Sequence, residues 1–287
     1  MAYNARILAD SVSPAGKRIT TFELTYPRFV HSELMTHRMF SRNSASSRAI
    51  PIDKMLEKIE TDPVIPVWWG KNQKGMQAQE ALSPEEETEA RAIWLLARSQ
   101  AVGFAKTLRD QGVHKQLVNR VVEPWMWITV LVTATEFDNF FHLRCHPDAQ
   151  PEIRHIAEMA KKLFDESQPH RIEAGWWHLP LVTDQDQLTM AGYAVEDLVK
   201  ICVGRCARVS YLTHEGKRDP AADIGLHDRL AESGHLSPFE HPATALENPT
   251  AWSGNFQGWK QYRKTIAFEQ DYLGRPKEIE IPEAFYR

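Results

Sequence analysis

The sequence predicts one α+β domain over residues 1–287, and three observations carry that expectation. Two alternating apolar patterns lie near the N-terminus with a turn between them. Amphipathic helical patterns dominate from residue 83 onward. No low-complexity stretch or linker interrupts the chain. Residues 5–12 and 18–26 read as strands, and Ala15-Gly16-Lys17 supplies the turn of a hairpin. Residues 28–37 read as a helix, with Phe29, Val30, Leu34 and Met35 near one face. Residues 62–82 are irregular, and the paired Trp68 and Trp69 there fit a lid over a site or core packing equally well. Ser83-Pro84-Glu85-Glu86 carries a capping box and a proline at the first helical position. It opens a long helix that Gly112 stops.

A second helix over 114–122 ends before Pro124. Residues 125–133 are rich in Trp, Ile, Val and Thr and read as a buried strand, with a buried helix as the alternative. Residues 136–143 look helical. Residues 149–164 form a clear amphipathic helix through Ile153, Ile156, Ala157, Ala160 and Leu163. Helices are expected at 195–209 and 224–231, the second stopped by Gly234. A Gly/Asp/Pro-rich turn at 215–220 separates them, and a mixed segment at 254–264 precedes a polar end.

Composition narrows the function. The chain is 43% hydrophobic and 25% charged, enough for a substantial core. With 34 basic and 38 acidic residues the net charge is −4, so nucleic acid and anionic membranes are not expected partners and any anion site is local. The longest apolar run, around 125–135, is too short to span a bilayer. The first six residues hold no apolar signal core. Three cysteines, Cys145, Cys202 and Cys206, make an odd, sparse set that predicts no disulfide framework and a cytoplasmic location.

The stretch 35–48 stands out. It holds Arg38, Arg42 and Arg48, His37, Asn43 and five hydroxyl residues with no acid, between apolar flanks. Such a placed loop suits an anion, most simply a phosphate held by Arg forks, hydroxyls and backbone N–H groups. Arg120 and Arg144 also sit in apolar surroundings and need an anionic partner, either a carboxylate or a shared ligand. Residues 234–241 combine His235, Ser237, Glu240 and His241. Metal ligation there lacks Cys or Asp partners at suitable spacing, and Glu240 is placed to orient a neighbouring His or Arg. Cys145 beside Arg144 is a candidate for a lowered pKa. No G-x-G-x-x-G or Walker loop is present.

Thr36-His37-Arg38, Ser41, Asn43, Ser46 and Arg48 resemble, in order and spacing, the signature of the flavin-dependent thymidylate synthases, with only the first Arg missing. Residues 234–241 resemble that family's Gly-His-x-Ser/Thr-Pro-Phe-Glu-His segment. Residues 206–211 resemble its Ala-Ala-Arg-Val-Ser/Cys-Phe/Tyr segment. Residues 139–144 and 149–154 resemble its Leu-Arg and Ala-Gln-x-Glu-Ile-Arg region, and Arg120 with Pro124 its Arg-x-x-x-Pro element. The segments at 206–241 precede the signature in the family and follow it here, so the chain reads as a circularly permuted member. Its segments 206–264 then correspond to the family's N-terminal part.

The resemblance implies a mixed sheet with a helical bundle, FAD as cofactor, and NADPH and methylenetetrahydrofolate as co-substrates. It implies one-carbon transfer to C5 of a deoxypyrimidine monophosphate, most simply dUMP to dTMP, in a homotetramer. It carries over Ser46, Ser47, Arg48 and Arg120 to the nucleotide phosphate, Ser46 and Arg144 to catalysis with Arg144 facing the pyrimidine, and His37, Arg38, Met39, Asn139, Ser210, His235 and Ser237 to the flavin. The family's Gln and Arg ahead of the signature fall on Glu33 and Thr36, and an asparagine near the flavin falls on Thr133. Residues 259–264 look like the family's Arg-Gln-Trp-x-Arg helix, so Gln261 with Arg263 or Lys264 is expected to replace what Glu33 and Thr36 lack, or to be a solvated basic helix. Glu33 and Thr36 also keep open methylation or hydroxymethylation of dCMP or dUMP, and a catalytically silent nucleotide- or flavin-binding relative.

Overall fold

The hairpin expected at the N-terminus is the centre of the main sheet. In a computed structural model describing residues 3–269 apart from 174, 191, 214–215, 217 and 268, strands β1 (Asn4–Val12) and β2 (Arg18–Pro27) pair antiparallel. Gly16 closes their turn with φ +83°, a left-handed conformation that glycine adopts without strain. A 3-10 turn and the short helix α1 (His31–Met35) then lead to β3 (Ser41–Ser44). Helices α2 (Ile52–Thr61), α3 (Pro84–Asp110) and α4 (Lys115–Val118) follow, then β4 (Trp127–Ala134), α5 (Asp138–Arg144) and α6 (Pro151–Glu166).

The C-terminal part adds β5 (His170–Arg171), β6 (Trp177–His178), α7 (Asp184–Thr189), α8 (Val195–Arg208) and α9 (Pro220–Ser233). It ends in β7 (Ala243–Ala245), β8 (Trp252–Ser253), β9 (Phe256–Gln257) and β10 (Trp259–Gln261). The five-stranded sheet runs β3-β4-β2-β1-β5, antiparallel except for the β1/β5 pair, so it is mixed.

The alternation of β2 divides the molecule. Phe22, Leu24 and Tyr26 face α5 and α6 and join Ile128, Val130, Val132, Phe140, Ile153 and Ile156 in the largest apolar core. On the other face Leu131 packs with Ile201, Cys202, Cys206 and Val209 beneath α8. On that face β2 also presents Thr21, Glu23 and Thr25; Arg6 and Thr129 meet the last two, and the C-terminal segments meet Thr21. Thr21 bonds Thr133 (2.7 Å) and His178 Nε2 (2.8 Å), His178 Nδ1 bonds Ser11 (2.9 Å), and Thr133 bonds His241 Nδ1 (2.8 Å). All five side chains are buried. Burial holds His178 and His241 neutral, with pKa values lowered to about 3.

Helices α8 and α9 cross closely at Gly204, where a Cβ would lie 2.5 Å from the Asp223 carbonyl oxygen. The buried Asp223 receives Arg205 Nε (3.2 Å) and Arg208 Nε (2.7 Å), and Arg205 also reaches Asp186 (2.9 Å).

Several expectations are corrected. The polar stretch is a strand at 41–44, because β4 offers it a free edge. The 114–122 helix is one α turn that continues as a 3-10 helix through Pro124 to Trp125, so the proline lies inside the element rather than beyond its end. Residues 259–264 are strand β10 followed by a 3-10 turn rather than a helix, since Trp259 is buried and pairs with Ala245 of β7. Helix α2 was not expected; Met55, Leu56 and Ile59 form its buried face against α3. The turn at 215–220 lies partly, and the polar end at 270–287 wholly, outside the described residues.

Candidate active site

β3 is held from both sides. Register places Ser41 opposite Thr133 and Asn43 opposite Leu131, so Ser41 and Asn43 point to the α8 side and Arg42 and Ser44 to the other. Asn43 Nδ2 donates to the Cys206 carbonyl (2.6 Å) at the end of α8, and the Ser46 N–H donates to the Ser210 carbonyl (3.1 Å). Ser237 Oγ approaches Asn43 Oδ1 at 3.5 Å. Gln261 Nε2 donates to Ser41 Oγ (3.0 Å) and Asn255 Oδ1 (2.9 Å). The C-terminal segments therefore meet the signature strand directly.

At the N-terminal end of this strand Arg144 makes four contacts. Its Nη1 donates to Glu33 Oε2 (2.8 Å), Nη2 to the Glu33 carbonyl (3.3 Å) and Thr36 Oγ1 (3.2 Å), and Nε to His37 Nε2 (3.0 Å). Accepting at Nε2 puts the His37 proton on Nδ1. Burial first, and then the Arg144 charge, lower the His37 pKa to about 4, so the ring is a neutral acceptor. Burial raises the Glu33 carboxyl while Arg144 opposes the rise. The two positions where the family differs thus hold the arginine that the resemblance aims at the pyrimidine.

At the other end Glu123 gathers the phosphate candidates. Its Oε1 accepts from Ser47 Oγ (2.9 Å) and Arg120 Nη1 (2.8 Å) and pairs with Arg28 Nε (3.3 Å). Arg28, Ser32, Arg120 and Glu123 line an open cavity of about 510 Å³. Arg48 is exposed, and its N–H donates to Ser46 Oγ (3.3 Å). Among the described residues neither Arg38 nor Arg48 has an acidic partner. Arg42, half-buried, donates to the Met35 and His37 carbonyls. Its pKa is lowered by burial and then by the nearby Arg38 charge, so Arg38 and Arg42 form a local positive spot.

The flavin candidates divide. His37, Arg38, Met39, Ser210 and Ser237 lie on or against the β3 region, whereas Asn139 is exposed on α5 and His235 is exposed with Nδ1 against Ser233 Oγ (2.9 Å). Thr133, where the family has asparagine, is consumed by the buried hydroxyl–histidine chain. An unpaired Arg38 beside Arg42 and the exposed Ser237 fit a diphosphate-bearing cofactor in charge and donor type.

Gln261 is buried with its amide on Ser41 and Asn255, and Arg263 pairs with Glu240 (2.5 Å) and Glu269 (2.8 Å). Glu240 does orient an arginine. Burial pushes the Cys145 thiol up, with the Glu158 charge adding to the rise, which corrects the lowered value expected beside Arg144. No cluster of His, Cys, Asp or Glu among the described residues is arranged to hold a metal ion. The sequence reading missed Glu123 and Asn255. The i, i+3 spacing of Arg120 and Glu123 was a signal for the first, while nothing local marks the second.

The family described as thymidylate synthase complementing protein matches residues 9–170, more than half of the chain. A search of curated proteins returned no match. Among solved structures, the UMP/dUMP methylase PolB from Streptomyces cacaoi bound with 5-Br UMP aligns at 16% identity and a TM-score of 0.47, covering 57% of this chain and 89% of that one. The same methylase bound with 5-Br dUMP aligns at 15% identity and a TM-score of 0.46, over 57% and 90% of the two chains.

Proposed function

Because the chain belongs to the family of thymidylate synthase complementing proteins, we propose that it transfers a one-carbon unit to C5 of a deoxypyrimidine monophosphate, most simply converting dUMP to dTMP. FAD is the proposed cofactor, and methylenetetrahydrofolate and NADPH are the proposed co-substrates. The observation that carries the reading is the pair of signature arginines without acidic partners, Arg38 and Arg48, flanking a strand that the rest of the chain clamps in place.

In this reading Arg48, the Ser46 hydroxyl and Arg120 take the nucleotide phosphate, with Ser47 and Glu123 fixing their positions. Arg144 faces the base. Held by Glu33, Thr36 and the neutral His37, its guanidinium is pre-oriented to stabilise negative charge on the pyrimidine as C5 becomes nucleophilic. Arg38, with Ser237 and His37 nearby in the β3 region, would hold the flavin, which supplies redox chemistry when bound. The docking of residues 206–241 on β3 supports the permuted reading, since the contacts form with altered connectivity. The homotetramer is part of the proposal, and particle mass in solution tests it; a monomer would remove it.

A second reading changes the base. The Glu33 carboxylate beside Arg144 accepts hydrogen bonds, and the exocyclic amine of cytosine offers one, which favours dCMP. Incubation of the flavin-loaded protein with NADPH, methylenetetrahydrofolate and either dUMP or dCMP, with product masses measured, separates the two readings. A protein that takes up no FAD, or nucleotides whose masses never change, would leave a silent relative.

A further inference from the structure

Arg28 follows directly on β2, where its N–H donates to the Met126 carbonyl (2.8 Å). Its side chain is 20% exposed and meets Glu123 through Nε alone, at 3.3 Å. Among the described residues neither of its Nη nitrogens has a protein partner. Arg18, at the other end of β2 and 24% exposed, shows what a structural pair looks like: its Nε and Nη2 take both oxygens of Asp10, at 2.9 and 2.7 Å. The Arg28 fork is left open by comparison, although its surroundings are as closed. Its acid is also shared. Glu123 Oε1 serves Ser47, Arg28 and Arg120, so two guanidinium groups meet one carboxylate in the lining of the cavity of about 510 Å³.

His31 adds a donor to the same lining. The Tyr26 hydroxyl is buried, and burial pushes its pKa well above the usual range, so it keeps its proton. Its acceptor is His31 Nδ1 at 2.8 Å, and no other is present among the described residues. Burial, and then the Arg28 charge, lower the His31 pKa to about 4, so the ring is neutral. A neutral ring that accepts at Nδ1 carries its proton on Nε2, and that N–H has no partner among the described residues.

We propose that Arg28, with His31, is a further binding residue for the nucleotide phosphate, and that this cavity is where the phosphate sits. The proposal rests on the nucleotide reading above, in which Arg120 contacts the phosphate. The resemblance carries neither Arg28 nor His31 to that role. A mostly buried guanidinium with an open fork calls for an anion, and a phosphate monoester has oxygens enough for the fork, Arg120 and the His31 N–H together.

Calorimetric titration of dUMP and dCMP into the full chain and into Arg28→Ala tests it. The preferred nucleotide is expected to lose roughly tenfold or more in affinity. Arg28→Lys keeps the charge but not the fork. It is expected to lose roughly threefold or more, which keeps the test valid if Arg28→Ala fails to fold. Phosphorus NMR of the bound nucleotide reads the contact itself. A phosphate dianion ordinarily takes up a proton at about pH 6, and a neighbouring cation lowers that value. The bound nucleotide is therefore expected to titrate higher in Arg28→Ala than in the native chain. Unchanged affinity in the folded variants, or a weaker Arg28→Ala complex whose phosphate titrates as in the native chain, would overturn the assignment. A native chain that binds neither nucleotide would overturn the proposed function with it, whereas native binding that survives both substitutions removes Arg28 alone.

Discussion

Arg205 and Arg208 on α8 are closed in by Asp223 and Asp186, whereas Arg38 and Arg48 at the two ends of β3 face solvent with no acid among the described residues. Arg144 stands between these extremes, half-buried and shared by Glu33, Thr36 and His37. The contrast separates roles. A buried cation without a partner is costly, so α8 and α9 carry their own acids and the ion network is part of the fold. An exposed cation needs no partner for stability, so in the proposed reading the two such arginines that flank the clamped strand are kept for a ligand. Arg144 combines the two arrangements: it is part-exposed, and its acid fixes its direction.

The largest expected effect lies at Arg144. Arg144→Ala should abolish turnover while flavin absorbance of the purified protein is retained. Turnover that persists would move charge stabilisation to another group. Next comes the α8–α9 network. Asp223→Asn leaves the buried Arg205 with reduced compensation and should cost about 3–5 kcal/mol in urea unfolding, as for other broken buried pairs. A loss under about 1 kcal/mol would show that Asp186 alone satisfies Arg205.

The buried imidazoles set a pH dependence. His31 and His37 are lowered to about 4, and His178 and His241 to about 3, from an ordinary 6.5. A depressed imidazole takes its proton first in the unfolded chain. Stability is therefore full above about pH 6.5 and falls as pH drops toward 4 and 3, by at most about 1.4 kcal/mol per pH unit for each group. Urea midpoints at about pH 7.5 and pH 5 check the sign, and His241→Gln should reduce the difference between them. A midpoint that rises on acidification would show that these rings are charged in the fold.

The strongly periodic parts were legible in the sequence. The hairpin, the capped α3, β4 and the amphipathic α6 each follow from local pattern, and Ser83 with Glu86 forms the capping box as spaced. Helix α2 was hidden because its short apolar face follows directly on the polar stretch. Residues 259–264 were misjudged because a three-residue strand has too little alternation to announce itself, and burial of Trp259 decides it. In the site, the signature residues were readable from spacing, but their partners were not. Glu33 and Arg144 are 111 residues apart, and Ser41 and Gln261 are 220 apart. Which arginines stay unpaired is largely a property of the assembled surface; the i, i+3 spacing of Arg120 and Glu123 is a local signal of a pair, but nothing local shows that Arg48 stays free of one.

Nucleotide binding by Arg48→Ala tests that distinction most directly. Calorimetric titration of dUMP and dCMP into the native chain and the variant, with unfolding midpoints measured alongside, should show the preferred nucleotide losing about 1.5–3 kcal/mol of binding while stability stays within about 0.5 kcal/mol. Unchanged nucleotide affinity, or a loss of affinity accompanied by an equal loss of stability, would contradict the claim that the unpaired signature arginines are reserved for the ligand.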